Sequence, residues 1–232
     1  MSIISPPWQK QRILKAQDIP LHESIIGYTN AFTTLQEKAL FVVAYLTAGR
    51  ISEVVQQPFL RKHKYFREQY VNKDGQTAFR VKRNENGSPM IESTTRVPLD
   101  YLGVKKKGIL VSAQGGKDVL VITMQNRKNK KFTVKNIPIS LSKEKTLIDL
   151  LYAYLATLDD EAYLFPFKTW KAEKILAIVG LNPHFIRDIR LTHMVTMYGY
   201  NSFQLQKFAG WKNSLPAERY VRLGVGDLVS NF

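Results

Sequence analysis

Residues 184–220 read HFIRDIRLTHMVTMYGYNSFQLQKFAGWKNSLPAERY. His184 and Arg187 stand three residues apart, so a helix puts the imidazole and the guanidinium on one face. The pattern predicts that helix over Phe185 to Tyr198. Phe208-Ala209-Gly210-Trp211 follows, and Tyr220 comes nine residues after Trp211. Shorter helices are expected to flank Trp211 and Tyr220. Upstream, Thr47-Ala48-Gly49-Arg50-Ile51-Ser52-Glu53 places an arginine at a helix break, with a carboxylate three residues on.

The helix before that break has a clear start. Thr34 with Glu37 three residues later is a capping-box pattern. Leu35, Leu40, Val43 and Leu46 recur at helical spacing, with Ala39 and Val42 beside them. Ala48-Gly49 interrupts the helix; Ser52 to Val55 reads as a second short helical start, which Pro58 closes. The middle of the chain is strand-like: Ala78 to Lys82, Met90 to Leu99, Ile109 to Ser112, Val119 to Thr123 and Phe132 to Ile139. Turn signals separate these runs at Asn86-Gly87, Gly115-Gly116 and Asn126 to Lys130. Helices are expected again over Lys143 to Leu158 and Lys168 to Val179. This order of helices, a small antiparallel sheet and helices again predicts an α+β domain, mainly helical. Residues 1–30 read as an N-terminal arm with at most one short helix, and 31–232 as one domain.

Composition narrows the partner. The 232 residues carry 34 Lys+Arg against 19 Asp+Glu, a formal net charge of +15. A surface that positive attracts polyanions, and double-stranded DNA is the expected one. Hydrophobic residues make up 44%, enough for a buried core. There is no cysteine, which excludes disulfides, thiolate zinc sites and thiol catalysis together. The N-terminus lacks the pattern of a secretory signal. No stretch approaches the roughly 20 apolar residues of a membrane helix, so a cytoplasmic protein without a membrane partner is expected.

Phosphodiester transfer without a metal needs donors for the growing charge on the nonbridging oxygens. Planar guanidinium groups supply paired hydrogen bonds of matching geometry. It also needs an in-line nucleophile and an acid for the leaving 5′ oxygen. Fixed donors aimed at developing charge are usually the largest catalytic contribution.

The four boxes, Thr47 to Glu53, His184 to Arg187, Phe208 to Trp211, and Tyr220, resemble those of the tyrosine recombinase (phage integrase) family in order and spacing. None is specific alone; together they cover about Leu35 to Leu223. The resemblance implies a site-specific recombinase or integrase of viral or mobile-element kind. Its small antiparallel sheet would lie between the two arginine boxes. Arg50 and Arg187 would clamp the scissile phosphate, and His184 would serve as acid/base partner. Trp211 would donate its indole N–H, where many relatives use histidine; indole donates but cannot shuttle a proton. Glu53 would orient a neighbour, most simply Arg50. Tyr220 would form a 3′-phosphotyrosyl link, with no ATP, metal or other cofactor. The family's hairpin lysine, thought to be its general acid, has two candidates here. Turn placement favours Lys128 and counting back from Pro138 favours Lys130. Arg127, Lys131 and the run Lys105-Lys106-Lys107 would touch the DNA backbone.

Each residue also has an ordinary structural reading. Arg50 could cap carbonyls, Trp211 could be a core aromatic, and Tyr220 could simply pack. Asp188 is awkward beside a phosphate-binding arginine, so it is expected to face away or hold Arg190. His193 and Arg190 read as structural. Relatives typically carry an N-terminal helical DNA-clamping domain of about a hundred residues. Only about thirty residues precede the first helix here, so that domain is expected to be absent or removed. The segment after Tyr220 would support self-association into dimers or tetramers on DNA. Two rivals share the fold: a type IB topoisomerase and a DNA-binding protein without catalysis.

Overall fold

Thr34 begins the helix around which the main unit is built. Its hydroxyl accepts the Glu37 N–H at 3.2 Å, and the Glu37 carboxylate accepts the Thr34 N–H at 3.1 Å. The capping box read from the sequence is therefore formed, and it opens α2, Leu35–Thr47. Every residue from Ala39 to Ala48 is buried. A helix apolar on all sides has no solvent face and takes the centre of a fold. Here α2 packs against α4 (Lys145–Leu155), α5 (Thr169–Leu176) and α6 (Pro183–Thr196).

The structure is a computed structural model that describes residues 18–55, 59–98, 109–114, 117–126, 133–160, 162–166 and 168–229. Short 3-10 turns and α1 (Ile25–Tyr28) precede α2, and α3 (Ile51–Val54) follows it. Beyond α6 come α7 (Ser202–Ala209) and α8 (Leu215–Val229). α8 runs through Tyr220 for 15 residues, so the segment around the tyrosine is longer than the short helix expected. α5 stops at Leu176, and a 3-10 turn carries the chain to Val179. Among the described residues no helix is long and apolar enough to cross a membrane.

The chain divides into two compact units, with boundaries at 56/57 and 101/102. The inserted unit holds two separate antiparallel pairs. β1 (Phe59–Tyr65) pairs with β4 (Ile91–Pro98), and β2 (Arg67–Val71) pairs with β3 (Thr77–Val81). The Asn72 side chain shapes the β2–β3 turn by accepting the Asp74 and Gln76 N–H groups at 3.0 and 2.8 Å. The sequence reading missed β1 and β2. Their run of Arg, Lys, His, Glu and Gln hides the period-two signal, and most described side chains of β2 face solvent. Among the described residues the strands lie in three small antiparallel sheets.

The third sheet belongs to the main unit and bears on the site. It orders β5 (Ile109–Gln114), β6 (Lys117–Asn126) and β7 (Thr133–Ser140), all antiparallel. Leu120, Ile122 and Met124 of β6 point inward, as do Lys135, Ile137 and Ile139 of β7. They pair as Leu120–Ile139, Ile122–Ile137 and Met124–Lys135. A lysine thus occupies a core position of an otherwise apolar face.

A buried polar cluster ties α6 to the rest of the unit. Arg190 donates to Glu144, and its guanidinium lies 5.0 Å and 5.2 Å from the ring centres of Tyr45 and Tyr198. Glu144 also accepts from Tyr198 Oη at 2.5 Å and bonds His22 Nε2 at 3.0 Å. His193 Nε2 reaches the Pro20 carbonyl at 2.8 Å, and its Nδ1 lies 2.8 Å from Tyr45 Oη. A carbonyl only accepts, so Nε2 carries the proton and Nδ1 accepts from the tyrosine. Burial, helped by the nearby His22 and Arg190, lowers the His193 pKa to about 4 against the pull of the Pro20 bond. Arg190 and His193 both belong to this buried network.

Candidate active site

The turn after α2 presents Arg50. Ala48 caps the helix in the left-handed region, at φ 44°. Thr47 Oγ1 accepts the Gly49 N–H at 3.1 Å while donating to the Val43 carbonyl at 2.6 Å. Gly49 is buried where no side chain fits. A Cβ there would lie 2.9 Å from both Thr47 Oγ1 and Val54 Cγ2, and 3.2 Å from Met124 Cε. The β6 core face is thus pressed against the turn, which delivers Arg50 to the N-cap of α3.

Glu53 holds Arg50 in two ways. Its Oε1 accepts Arg50 Nη1 at 2.8 Å, and its Oε2 accepts the Arg50 backbone N–H at 3.0 Å. Oε2 also accepts Lys135 Nζ at 3.1 Å. Burial works to raise the Glu53 pKa, but the Lys135 charge and the Arg50 bonds outweigh it, and the carboxyl stays below its usual range. Burial pushes the Lys135 ammonium down; Arg187 and Arg50 add to that, and Glu53 opposes it.

α6 supplies the second guanidinium. Asn182 caps the helix by accepting the Phe185 N–H at 2.8 Å, and Pro183 fills its first turn. Arg187 is buried. Its Nη1 donates to the Ala48 carbonyl and its Nη2 to the Ala209 carbonyl, the latter at 3.2 Å. The same side chain therefore joins the turn before Arg50 to the end of α7. Burial and the Arg50 charge disfavour its own charge, while Glu53, Tyr220 and Asp188 support it. His184, one turn earlier, is exposed and lies outside these contacts.

Gly210 ends α7 in the left-handed region at φ 68°, and Trp211 N–H returns to the Gln206 carbonyl at 3.0 Å. This close turn sets the indole 5.5 Å from the Arg187 guanidinium and stacks it on Tyr220, ring centres 5.9 Å apart and planes at 15°. Tyr220 is 3% exposed. Its Oη donates to Asp188 Oδ1 at 2.5 Å, and Arg219 Nη2 reaches the same oxygen at 2.9 Å. Burial raises the Tyr220 pKa, and the Asp188 carboxylate raises it further. Asp188 neither faces away nor holds Arg190, correcting that expectation: Glu144 takes Arg190, and one helical residue past Arg187 points at the tyrosine instead.

Arg50, Glu53, Arg187, Trp211 and Tyr220 thus form one connected cluster, drawn from α3, α6, the α7–α8 turn and α8. Lys105, Lys106, Lys107, Arg127, Lys128, Lys130 and Lys131 lie outside the described residues. Two members of the cluster escaped the sequence reading. Lys135 was legible in principle, since it sits in phase with Ile137 and Ile139. Asp188 stood out as unusual, but only packing could pair it with a residue 32 positions away. What the cluster offers chemically is three cations, Arg50, Lys135 and Arg187, against the two carboxylates of Glu53 and Asp188, with a phenol bonded to the second.

No protein-family model matches the sequence, and no curated protein matches it. Among solved structures, the chain is similar to XerA recombinase at a TM-score of 0.51 and 13% identity, covering 98% of this chain and 66% of that one. It is also similar to XerH site-specific recombinase bound to difH substrate in a pre-cleavage complex. There the TM-score is 0.46 at 12% identity, covering 90% of this chain and 50% of that one. A post-cleavage complex of XerH on palindromic difH substrate matches at 0.45 and 9% identity, covering 92% and 52%. The chain spans less than two thirds of each. With XerA as the structural counterpart, the fold of this chain is that of a tyrosine recombinase catalytic domain.

Proposed function

We propose that the chain is a DNA strand transferase of the tyrosine recombinase type, with Tyr220 as nucleophile. One observation carries the reading: Arg50, Lys135 and Arg187 gather around the single carboxylate of Glu53, beside the buried hydroxyl of Tyr220. Even with Asp188 counted, three cations face two carboxylates, so the cluster keeps unmatched positive charge in a partly desolvated place. A phosphodiester supplies the missing anion, and its charge grows as phosphorus becomes five-coordinate. Donors already fixed in place stabilise that growth without reorganising.

In this reading Arg50 and Arg187 hold the nonbridging oxygens, and Trp211 adds its indole N–H. Tyr220 Oη bonds to phosphorus while the bond to the 5′ oxygen breaks. The leaving oxygen takes a proton from His184 or from one of two lysines outside the described residues, Lys128 or Lys130. The 3′-phosphotyrosyl link keeps the energy of the phosphodiester, so a 5′ hydroxyl from another strand reseals it without ATP. Double-stranded DNA is the partner, favoured by the net charge of +15. Its affinity falls steeply with salt as phosphate contacts release counterions.

The test uses a pool of nicked duplexes with randomised flanks, in which a short fragment diffuses away after cleavage. The full chain is expected to give a DNA-linked band on a denaturing gel, and Tyr220→Phe none. An unsubstituted chain that links to no duplex, or a Tyr220→Phe variant that still links, rules this function out.

A further inference from the structure

We infer that Asp188 is the proton acceptor of Tyr220, an inference that rests on the function proposed above. A tyrosine nucleophile must lose its proton as it attacks. Tyr220 cannot hand that proton directly to bulk water, because it is 3% exposed and one ring face is covered by Trp211. The group that touches its hydroxyl is Asp188, at 2.5 Å. That length is typical of a hydroxyl donating to an ionised carboxylate. Arg219 reaches the same Asp188 oxygen at 2.9 Å, and its guanidinium carbon lies 4.7 Å from the Tyr220 ring centre. The arginine therefore steadies both partners. The charged groups around the hydroxyl are Asp188 and Arg187 from α6 and Arg219 from α8.

The step balances as follows. The Tyr220 O–H bond breaks and its proton passes to Asp188 Oδ1. The freed oxygen pair forms the bond to phosphorus. The phosphorus–O5′ bond breaks, and the leaving oxygen takes a proton from an imidazolium, an ammonium group or water. When a 5′ hydroxyl attacks the phosphotyrosyl link, its proton returns to the group that had protonated the leaving oxygen, the bond between phosphorus and Tyr220 Oη breaks, and Asp188 gives its proton back to Tyr220. A carboxylate next to the phosphate-binding Arg187 would otherwise weaken phosphate capture. Its bond to the nucleophile directs that charge at a proton instead.

The experiment compares single-turnover adduct formation by the unsubstituted chain, Asp188→Asn and Asp188→Glu on the nicked duplexes the chain cleaves. Asparagine keeps a hydrogen-bond acceptor of the same shape and removes the basicity. Its rate is expected to fall by about 100-fold or more, the usual range for losing a general base, with DNA binding no weaker. Asp188→Glu is expected to recover part of the rate. An Asp188→Asn rate within about threefold of the unsubstituted chain, or above it, overturns the assignment; a rise would mean that the carboxylate restrains Tyr220. A second measurement needs no DNA. The carbon-13 resonance of the Tyr220 phenol carbon, identified by its loss in Tyr220→Phe, is followed through alkaline titration. Its midpoint should fall in Asp188→Asn, and an unchanged midpoint overturns the contact. If the unsubstituted chain forms no adduct at all, the proposed function fails and takes this step with it. An adduct equally fast in both chains sinks the Asp188 role alone.

Discussion

Lys135 Nζ lies 3.1 Å from Glu53 Oε2, the same oxygen that accepts the Arg50 backbone N–H at 3.0 Å. A strand of the third sheet is thereby tied to the turn that presents Arg50. Glu53 is fully buried, so its charge depends on these partners. Removing one partner of a buried pair leaves an uncompensated charge, which costs roughly 3–5 kcal/mol. Arg50 remains as a second partner, so Lys135→Met is expected to cost about 3 kcal/mol. Urea unfolding followed by circular dichroism measures it. A loss below about 0.5 kcal/mol, the scale of an exposed pair, would show that the bond contributes little in solution.

Gly49 has no room for a methyl group against Thr47, Val54 and Met124. Gly49→Ala must push the β6 face or the α3 turn aside. Overpacking of this kind costs about 1–3 kcal/mol, and the displaced turn carries Arg50 with it. Both the urea midpoint and the rate of DNA-adduct formation should drop. A variant as stable and as active as the unsubstituted chain would mean that the turn yields freely.

One substitution separates the donor role proposed for Trp211 from its stacking on Tyr220. Trp211→Phe keeps a ring to stack on Tyr220 and removes the indole N–H. Stability should change by no more than about 1.5 kcal/mol, as for a similar-shape apolar exchange. Adduct formation should slow on the order of 10²-fold, the scale of losing one donor to a developing oxyanion. If the rate holds, stacking alone accounts for Trp211.

His193 gives a pH signature to folding. Its native pKa is lowered to about 4 from the usual 6.5. The unfolded chain therefore binds this proton from about pH 6.5 downward while the native chain stays neutral. Stability is fully present above pH 6.5, falls as the pH drops towards 4, and levels off below. Between pH 7.5 and 5 the loss from this group is about 2 kcal/mol. The usual carboxylate range lies below that window. Glutamine also offers a donor and an acceptor, so His193→Gln should lose stability less steeply over the same interval in urea titrations. Equal slopes for the two proteins would contradict the neutral, Nε2-protonated state.

Much of the main unit could be read from the chain because the deciding signals are local. The Thr34–Glu37 box, the apolar run from Ala39 to Leu46 and the break at Ala48-Gly49 all act within a few residues. The third sheet's alternation was equally visible in 119–123 and 132–139. β2 was not, since a strand whose side chains mostly face solvent leaves no apolar period to detect, and the charged run Arg61 to Lys64 gives β1 no such period in the sequence either. His184 shows the reverse limit: it lies in phase with Arg187, yet its side chain is exposed where Arg187 is buried.

By itself the sequence determined the mainly helical α+β class, the excess of positive charge, and the order and spacing of Arg50, Arg187, Trp211 and Tyr220. Those properties follow from composition and short-range periodicity. Tertiary structure alone decided that Lys135 shares Glu53 with Arg50, and that Asp188 takes the Tyr220 hydroxyl rather than Arg190. Both are bonds between residues far apart in the chain, 82 and 32 positions respectively. Which partner a buried charge takes depends on the groups that packing leaves within about 3 Å, where desolvation makes an unpaired charge costly. No local pattern encodes that choice.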